Sequence, residues 1–323
     1  MNYKILGRTG VKVSRLCFGT MSFGGDADAD MSAQMFKRCL DAGINFFDCA
    51  NVYNGGRSEE ILGKLMAGMR DDLFITTKVA SAMGKGINDR GLARRHIMRQ
   101  VEDSLKRLGT DRIDLYFVHH FDADTPIEET LRALDDLVTA GKILYPGVSN
   151  WAAWQIAKSL GISAREGLAR FECIQPMYSL AKRQAEVEIL PLAIGEQMGV
   201  IPYSPLGGGL LTGKYTTQSR PEAGRLTSNQ NYMKRYAESM YYEIAERFSA
   251  YAGEKSVHPA TLAVAWVMNH PAITAPIIGA RNVEQLDASL AAAELVMDPA
   301  YRAEVSALSY DPPPATDRSE ERR

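Results

Sequence analysis

Eight short apolar runs recur along this chain, and nearly every one ends in a polar residue or a glycine: Thr20, Asp48, Lys78, His119, Ser149, Gln175, Tyr203 and Gly279. Successive ends lie 28, 30, 41, 30, 26, 28 and 76 residues apart. Most of these intervals fit one strand-plus-helix unit, and the 41 and the 76 imply insertions after the third and seventh strands. The runs cover residues 16–21, 45–50, 73–79, 113–119, 143–149, 172–178, 200–205 and 274–279, and their centres are almost continuously apolar, as expected of strands covered on both faces. Amphipathic stretches such as 31–40, about 58–69 and about 93–108 separate them, the last stopping at Gly109. The pattern predicts an α/β fold, a (β/α)8 TIM barrel, which gathers its site at the carboxyl ends of eight strands. A doubly wound sheet, the structural rival, should show a GxGxxG turn after its first strand, and none is present.

Two segments stand outside the repeat. Residues 3–15 (YKILGRTGVKVSR) read as an N-terminal hairpin capping the barrel bottom. The end of the chain, DPPPATDRSEERR (311–323), is proline-rich and then charged, and is expected to be a disordered tail behind a single barrel domain of residues 1–310. Lys+Arg 37 against Asp+Glu 39 gives a net charge of -2, which points away from nucleic acid or an anionic membrane as main partner. No uncharged apolar stretch reaches 18 residues, and the first ten lack the pattern of a signal peptide. Four cysteines (Cys17, Cys39, Cys49, Cys173) without CxxC spacing read as reduced thiols of a cytoplasmic protein. Five histidines without HExxH or a Cys/His cluster predict no metal site.

The chemistry lies at the strand ends. A lysine closing an apolar strand (FITTK, Lys78) points into a barrel mouth, where a carboxylate on the adjacent strand, Asp48, can pair with it. Tyr53 follows five residues later and can fold back over that mouth. An ammonium beside a tyrosine favours its anion, so Lys78 is expected to lower the Tyr53 pKa and make it a usable general acid. His119 completes the group as a donor that orients a carbonyl oxygen; strand alternation alone leaves open whether His119 or His120 faces inward. The glycine-rich run 207–213 before Lys214 is a near miss for a P-loop, but Tyr215 stands where Ser or Thr should hold magnesium, which excludes a nucleoside triphosphatase. Backbone amides of such a loop can still cradle a pyrophosphate. Loops 22–30, 121–125 and 216–231 are expected to shape a substrate pocket, with Phe23, Phe121, Trp151, Trp154 and Tyr232 available to line it. His96, His258 and His270 have no visible partners in the sequence.

The segments NFFDCANVYNGGRSEEILGK (45–64), ITTKV (75–79), DRIDLYFVHHFD (111–122) and GVSN (147–150), continued through CIQPMYSL, IPYSPLGGGLLTGKY and PIIGARNVEQL, resemble the aldo-keto reductases in order and spacing over nearly the whole chain. GARNVEQL in place of a KSxxxxR-type motif is similar to the bacterial and potassium-channel-β-like branch. The resemblance implies Asp48, Tyr53, Lys78 and His119 as catalytic tetrad, choosing His119 over His120, and NADPH as cofactor. It assigns Ser149, Asn150 and Gln175 to the nicotinamide carboxamide and Tyr203 to stacking on the ring. Ser204, Leu206, Gly208 and Lys214 match the pyrophosphate loop, and Gly279, Arg281 and Gln285 the adenosine-phosphate end. Gly19, Thr20 and Met21, with Asp48, match contacts near the nicotinamide. Departures are Cys49 in the family's DTA, Asn54 for the glycine after Tyr53, Leu144 and Pro146 for the arginine and isoleucine of the fifth strand, and Ala288-Ser289 for the Glu-Asn pair at adenine. Pro146 is expected to disturb its strand locally. The implied function is reversible NADPH-dependent reduction of a small carbonyl compound. A cofactor-sensing binding subunit and a lyase using Lys78 as Schiff-base nucleophile are the alternatives.

Overall fold

The computed structural model describes residues 1–222 and 224–316. A hairpin opens the chain, with β1 (Tyr3–Ile5) antiparallel to β2 (Lys12–Ser14). Eight parallel strands follow: β3 (Cys17–Gly19), β4 (Phe46–Asp48), β5 (Phe74–Val79), β6 (Ile113–Val118), β7 (Ile143–Ser149), β8 (Cys173–Gln175), β9 (Gly199–Val200) and β10 (Ile277–Ile278). They pair in the order β10-β3-β4-β5-β6-β7-β8-β9, with helices between them. The two edges meet. Thr274 N donates to Val200 O at 2.9 Å and Ile277 N to Pro202 O at 2.8 Å, so the sheet closes into the expected (β/α)8 barrel.

Alternation along the strands explains why the mouth is polar and the bottom is not. Phe46, Phe74, Leu115, Phe117, Cys173, Ile201 and Ile277 form one apolar cluster with Leu6 and Val13 of the hairpin, inside the ring. Phe47, Ile75, Tyr116, Val118 and Val148 belong to the larger cluster under the helices. Because side chains alternate with a period of two, the residue two beyond each inward apolar residue also points inward. Phe46 thus leads to Asp48, Phe117 to His119, Cys173 to Gln175 and Ile201 to Tyr203. The hairpin does cap the bottom: a Cβ on Gly7 would stand 2.7 Å from Gly199 N and 2.9 Å from Glu172 O.

Several boundaries differ from expectation for backbone reasons. The seventh run shrinks to Gly199–Val200 and the eighth to Ile277–Ile278, since Pro202, Pro205 and Pro276 have no N–H for a ladder. Pro146 does not disturb β7, which runs unbroken through seven residues. Its missing donor falls below the first β7–β8 pair, Gly147 with Cys173, while its carbonyl still accepts from Glu172 N at 2.9 Å. The insertions appear as the long connection between β5 and the helix Arg94–Leu108, and as short helices at Arg225–Ser228 and Gln230–Arg235. Of the expected tail, Asp311 is held by Arg183 at 2.8 Å, and residues 317–323 lie outside the described residues.

Candidate active site

Six of the eight predicted strand ends, Asp48, His119, Ser149, Gln175, Tyr203 and Gly279, line one cleft of about 600 Å³ at the barrel mouth. At its floor Lys78 is fully buried and spends all three ammonium protons: on Asp48 Oδ2 at 2.5 Å, the Cys49 carbonyl at 2.6 Å and the Tyr53 hydroxyl at 3.2 Å. Asp48 is buried too, and its other oxygen accepts from Thr76 Oγ1 at 2.6 Å and Gln175 Nε2 at 2.9 Å. The Tyr53 ring meets His119 edge-on, centroids 6.1 Å apart. Tyr53 reaches this position through a tight turn in which Asn54 and Gly55 both take positive φ (50° and 67°). Asparagine tolerates that conformation. The Asn54 amide also donates to Met21 O at 2.9 Å and Phe23 O at 2.7 Å, pinning the turn to the loop after β3.

The electrostatics correct one expectation. Burial pushes the Tyr53 hydroxyl up to about 12; Lys78 opposes this, but Asp48 offsets much of the ammonium's charge and adds to the rise. Tyr53 is therefore a protonated donor at neutral pH rather than a lowered acid. Burial works against the Lys78 charge, yet Asp48 and Tyr53 outweigh it and raise its pKa above the ordinary lysine value. Fully buried and ion-paired with Asp48, Lys78 does not offer the neutral, accessible amine that the Schiff-base alternative needs. Burial, helped by Lys78 and His120, holds His119 down at about 3, so its imidazole is neutral. His119 lines the cleft while His120 is exposed, because the inward alternation of Leu115 and Phe117 continues one residue past β6, held by His119 N to Val79 O at 2.8 Å.

Gly19, Met21, Ser149, Asn150, Gln175, Tyr203, Ser204, Leu206, Gly208, Lys214, Gly279, Arg281 and Gln285 also line the cleft. Thr20 does not. It is buried behind the wall, where Ser58 Oγ reaches Thr20 Oγ1 at 2.9 Å and Thr20 Oγ1 reaches the Asp48 carbonyl at 3.1 Å. Of Ala288-Ser289 only Ala288 faces the cleft; Ser289 is fully buried. Among the five aromatic residues expected at a pocket, only Tyr232 lines it. Phe23 and Trp151 are core, Phe121 packs edge-on against Trp151 at 4.9 Å, and Trp154 is 63% exposed outside the cleft. Arg225, Arg235 and His258 line the cleft without any motif to announce them. His258 is no orphan, since its Nδ1 accepts from Ala260 N at 3.1 Å and caps the helix Pro259–Met268.

The outer arm suits an extended phosphate-bearing ligand. Lys214, Arg225, Arg235 and Arg281 line it without an ion pair among the described residues. Gly208 and Gly209 adopt positive φ (70° and 104°), and a Cβ on Gly209 would stand in open space. After Lys214 the chain runs on irregularly rather than into a helix, as expected for something other than a P-loop. No cluster of three or more metal-ligating side chains exists among the described residues, and no helix of theirs is long and apolar enough to cross a membrane. All four cysteines are free and buried.

A barrel with this floor narrows the family, and residues 15–309 match the model of the aldo/keto reductase family. The chain belongs to that family. It is 41% identical over 310 residues to a Bacillus subtilis protein named uncharacterized oxidoreductase YrpG, covering 92% of this chain and 93% of that one. It is 37% identical over 304 residues to a probable voltage-gated potassium channel subunit beta of Arabidopsis thaliana, with 92% of each covered. To the norsolorinic acid reductase of Aspergillus flavus it is 35% identical over 305 residues, covering 89% of this chain and 76% of the relative.

Proposed function

We propose that this oxidoreductase reduces an aldehyde or ketone to the alcohol, reversibly, with NADPH as cofactor. The observation that carries the reading is the floor of the cleft: a Tyr53 hydroxyl 3.2 Å from an ammonium that is itself paired at 2.5 Å with a buried carboxylate. The residues present fit the cofactor. Glycines at positive φ stand in the outer arm, cations without an ion-pair partner among the described residues line it, and amide and hydroxyl groups of Ser149, Asn150 and Gln175 line the same cleft as Tyr203. When bound, NADPH supplies the hydride.

The chain's own residues do the rest. Tyr53 holds a proton ready and releases it to the oxygen of the reduced carbonyl. Lys78 stabilises the resulting tyrosinate, and Asp48 keeps Lys78 in place. His119, neutral, offers one N–H to orient the carbonyl oxygen. Acid help of this kind is worth roughly 10²–10⁴-fold. Arg281 and Lys214 would hold phosphate groups, and the guanidinium fork of Arg281 suits a 2′-phosphate. NADPH oxidation followed by absorbance against aromatic aldehydes, α-dicarbonyls, sugars and a keto-steroid tests the reading; turnover of at least one is expected, and failure to bind any nicotinamide cofactor would overturn it. The relatives named as potassium channel subunits favour a second reading, a cofactor-sensing subunit, which tight NADPH binding with no turnover on such a panel would support.

A further inference from the structure

Glu59 carries a carboxylate that the chemistry above does not use, and it is fully buried. A helix dipole favours an acid in its first turn, but the exposed neighbour Glu60 supplies that from the surface. Burying a charge is costly unless partners satisfy it. Glu59 has two. Its Oε1 accepts from Thr77 Oγ1 at 2.5 Å, and its Oε2 from Arg107 Nε at 2.7 Å. Thr77 immediately precedes Lys78 on β5, so alternation turns its side chain outward, away from the cleft. Arg107 comes from the last turn of the helix Arg94–Leu108.

Glu59 sits in the helix Arg57–Leu65, which grows directly out of the Tyr53–Gly56 turn, with Arg57 N donating to the Tyr53 carbonyl. Two side-chain bonds therefore join the same two segments. Tyr53 to Lys78 spans them inside the barrel, and Thr77 to Glu59 spans them behind the sheet. The inner bond, at 3.2 Å, is the longest of the three that Lys78 makes and the least able to hold the segments by itself. Arg107 also braces the turn, since a Cβ on Gly56 would stand 2.8 Å from its Cδ. We propose that Glu59 is a positioning residue for the proton donor: held by Arg107, it ties the Tyr53 segment to β5 through Thr77 and so fixes where the Tyr53 hydroxyl stands against Lys78. The inference rests on the reductase reading above.

Thr77→Val tests this, because valine keeps the branched shape and leaves Glu59 paired with Arg107. On a carbonyl compound that the wild type reduces, the variant should lose roughly three- to tenfold in kcat, the worth of one net hydrogen bond, with KM and the NADPH dissociation constant unchanged. Thr77→Ser restores the hydroxyl and should restore kcat. Ile75→Val trims the same outward face of β5, leaves the Glu59 bonds intact and should keep the wild-type kcat. A Thr77→Val protein with wild-type kcat, a loss that falls on KM or NADPH binding, a loss that Thr77→Ser does not rescue, or one that Ile75→Val reproduces would overturn the proposal. A wild type that binds NADPH but turns over no carbonyl would overturn the reductase reading and this inference with it, and that failure shows before any variant is made.

Discussion

The two arms of the cleft are built on opposite principles. At the floor, Asp48, Lys78, Thr76 and Gln175 stand on β4, β5 and β8, all are buried, and every proton on Lys78 has an acceptor within the protein. In the outer arm Lys214, Arg225, Arg235 and Arg281 sit on connecting segments, line the cleft and have no carboxylate partner among the described residues. The floor is finished before any ligand arrives; the arm is completed by one. Preorganised charge suits a chemical step, since nothing has to move when the proton does. Cations on connecting segments, without a carboxylate partner among the described residues, suit a phosphate-bearing ligand that the protein must also release.

Breaking the floor should therefore cost both rate and fold. Lys78→Met leaves the Asp48 carboxylate buried without its counter-ion, so stability should drop by about 3–5 kcal/mol in denaturant unfolding, and turnover should vanish. Were Lys78→Met to keep wild-type stability, the floor would not be the closed unit described. The pH dependence sharpens the same point. With Tyr53 pushed up to about 12, the protonated form dominates through neutrality, so carbonyl reduction should be flat from about pH 6 to 9. Alcohol oxidation needs the tyrosinate, whose fraction rises tenfold per pH unit below that value. Its rate should climb through the same range. Parallel profiles in the two directions would contradict this assignment of the proton.

His119 adds a stability signature. Its pKa falls from 6.5 in the unfolded chain to about 3 in the barrel, and that of His270 to about 4. Below pH 6.5 the unfolded chain binds protons that the folded one refuses, so stability is lost as pH falls from about 6.5 toward 4. His119→Asn should flatten part of that loss in unfolding curves across this window. Removing a cation from the arm should cost binding alone. Arg281→Ala should raise the NADPH Michaelis constant by about tenfold or more and leave that for NADH nearly unchanged. An equal rise for both would remove the 2′-phosphate role. Smallest is Gly208→Ala, whose Cβ would meet the Tyr232 ring at 2.6 Å from a backbone at φ 70°; a loss of ~1–2 kcal/mol and a few-fold weaker NADPH binding are expected.

The same contrast explains what was legible in the sequence. Alternation and the βα spacing locate the strand-borne part of the floor, because Asp48, Thr76, Lys78 and Gln175 each sit at a fixed register on a strand. Asp48, Lys78 and Gln175 follow from that, and so does the inward turn of His119 once its ladder bond to Val79 is seen. The arm has no period. Arg225, Arg235 and His258 reach the cleft from an insertion and a helix cap, where one residue more or less changes nothing visible in the pattern. Aromatic side chains misled for a related reason: Phe23 and Trp151 flank strand ends, but the space under the neighbouring helices takes them into the core. The direction of the Tyr53 shift was beyond reach, since it depends on how fully a three-dimensional wall excludes water.

On the proposed mechanism Tyr53 delivers the proton from a floor already assembled without ligand. Single-turnover oxidation of NADPH by the wild type and by Tyr53→Phe, with cofactor affinity measured in parallel, tests it most directly. A rate roughly 10²–10⁴-fold lower in the variant, with NADPH binding unchanged, is expected. A variant that turns over at the wild-type rate would contradict it.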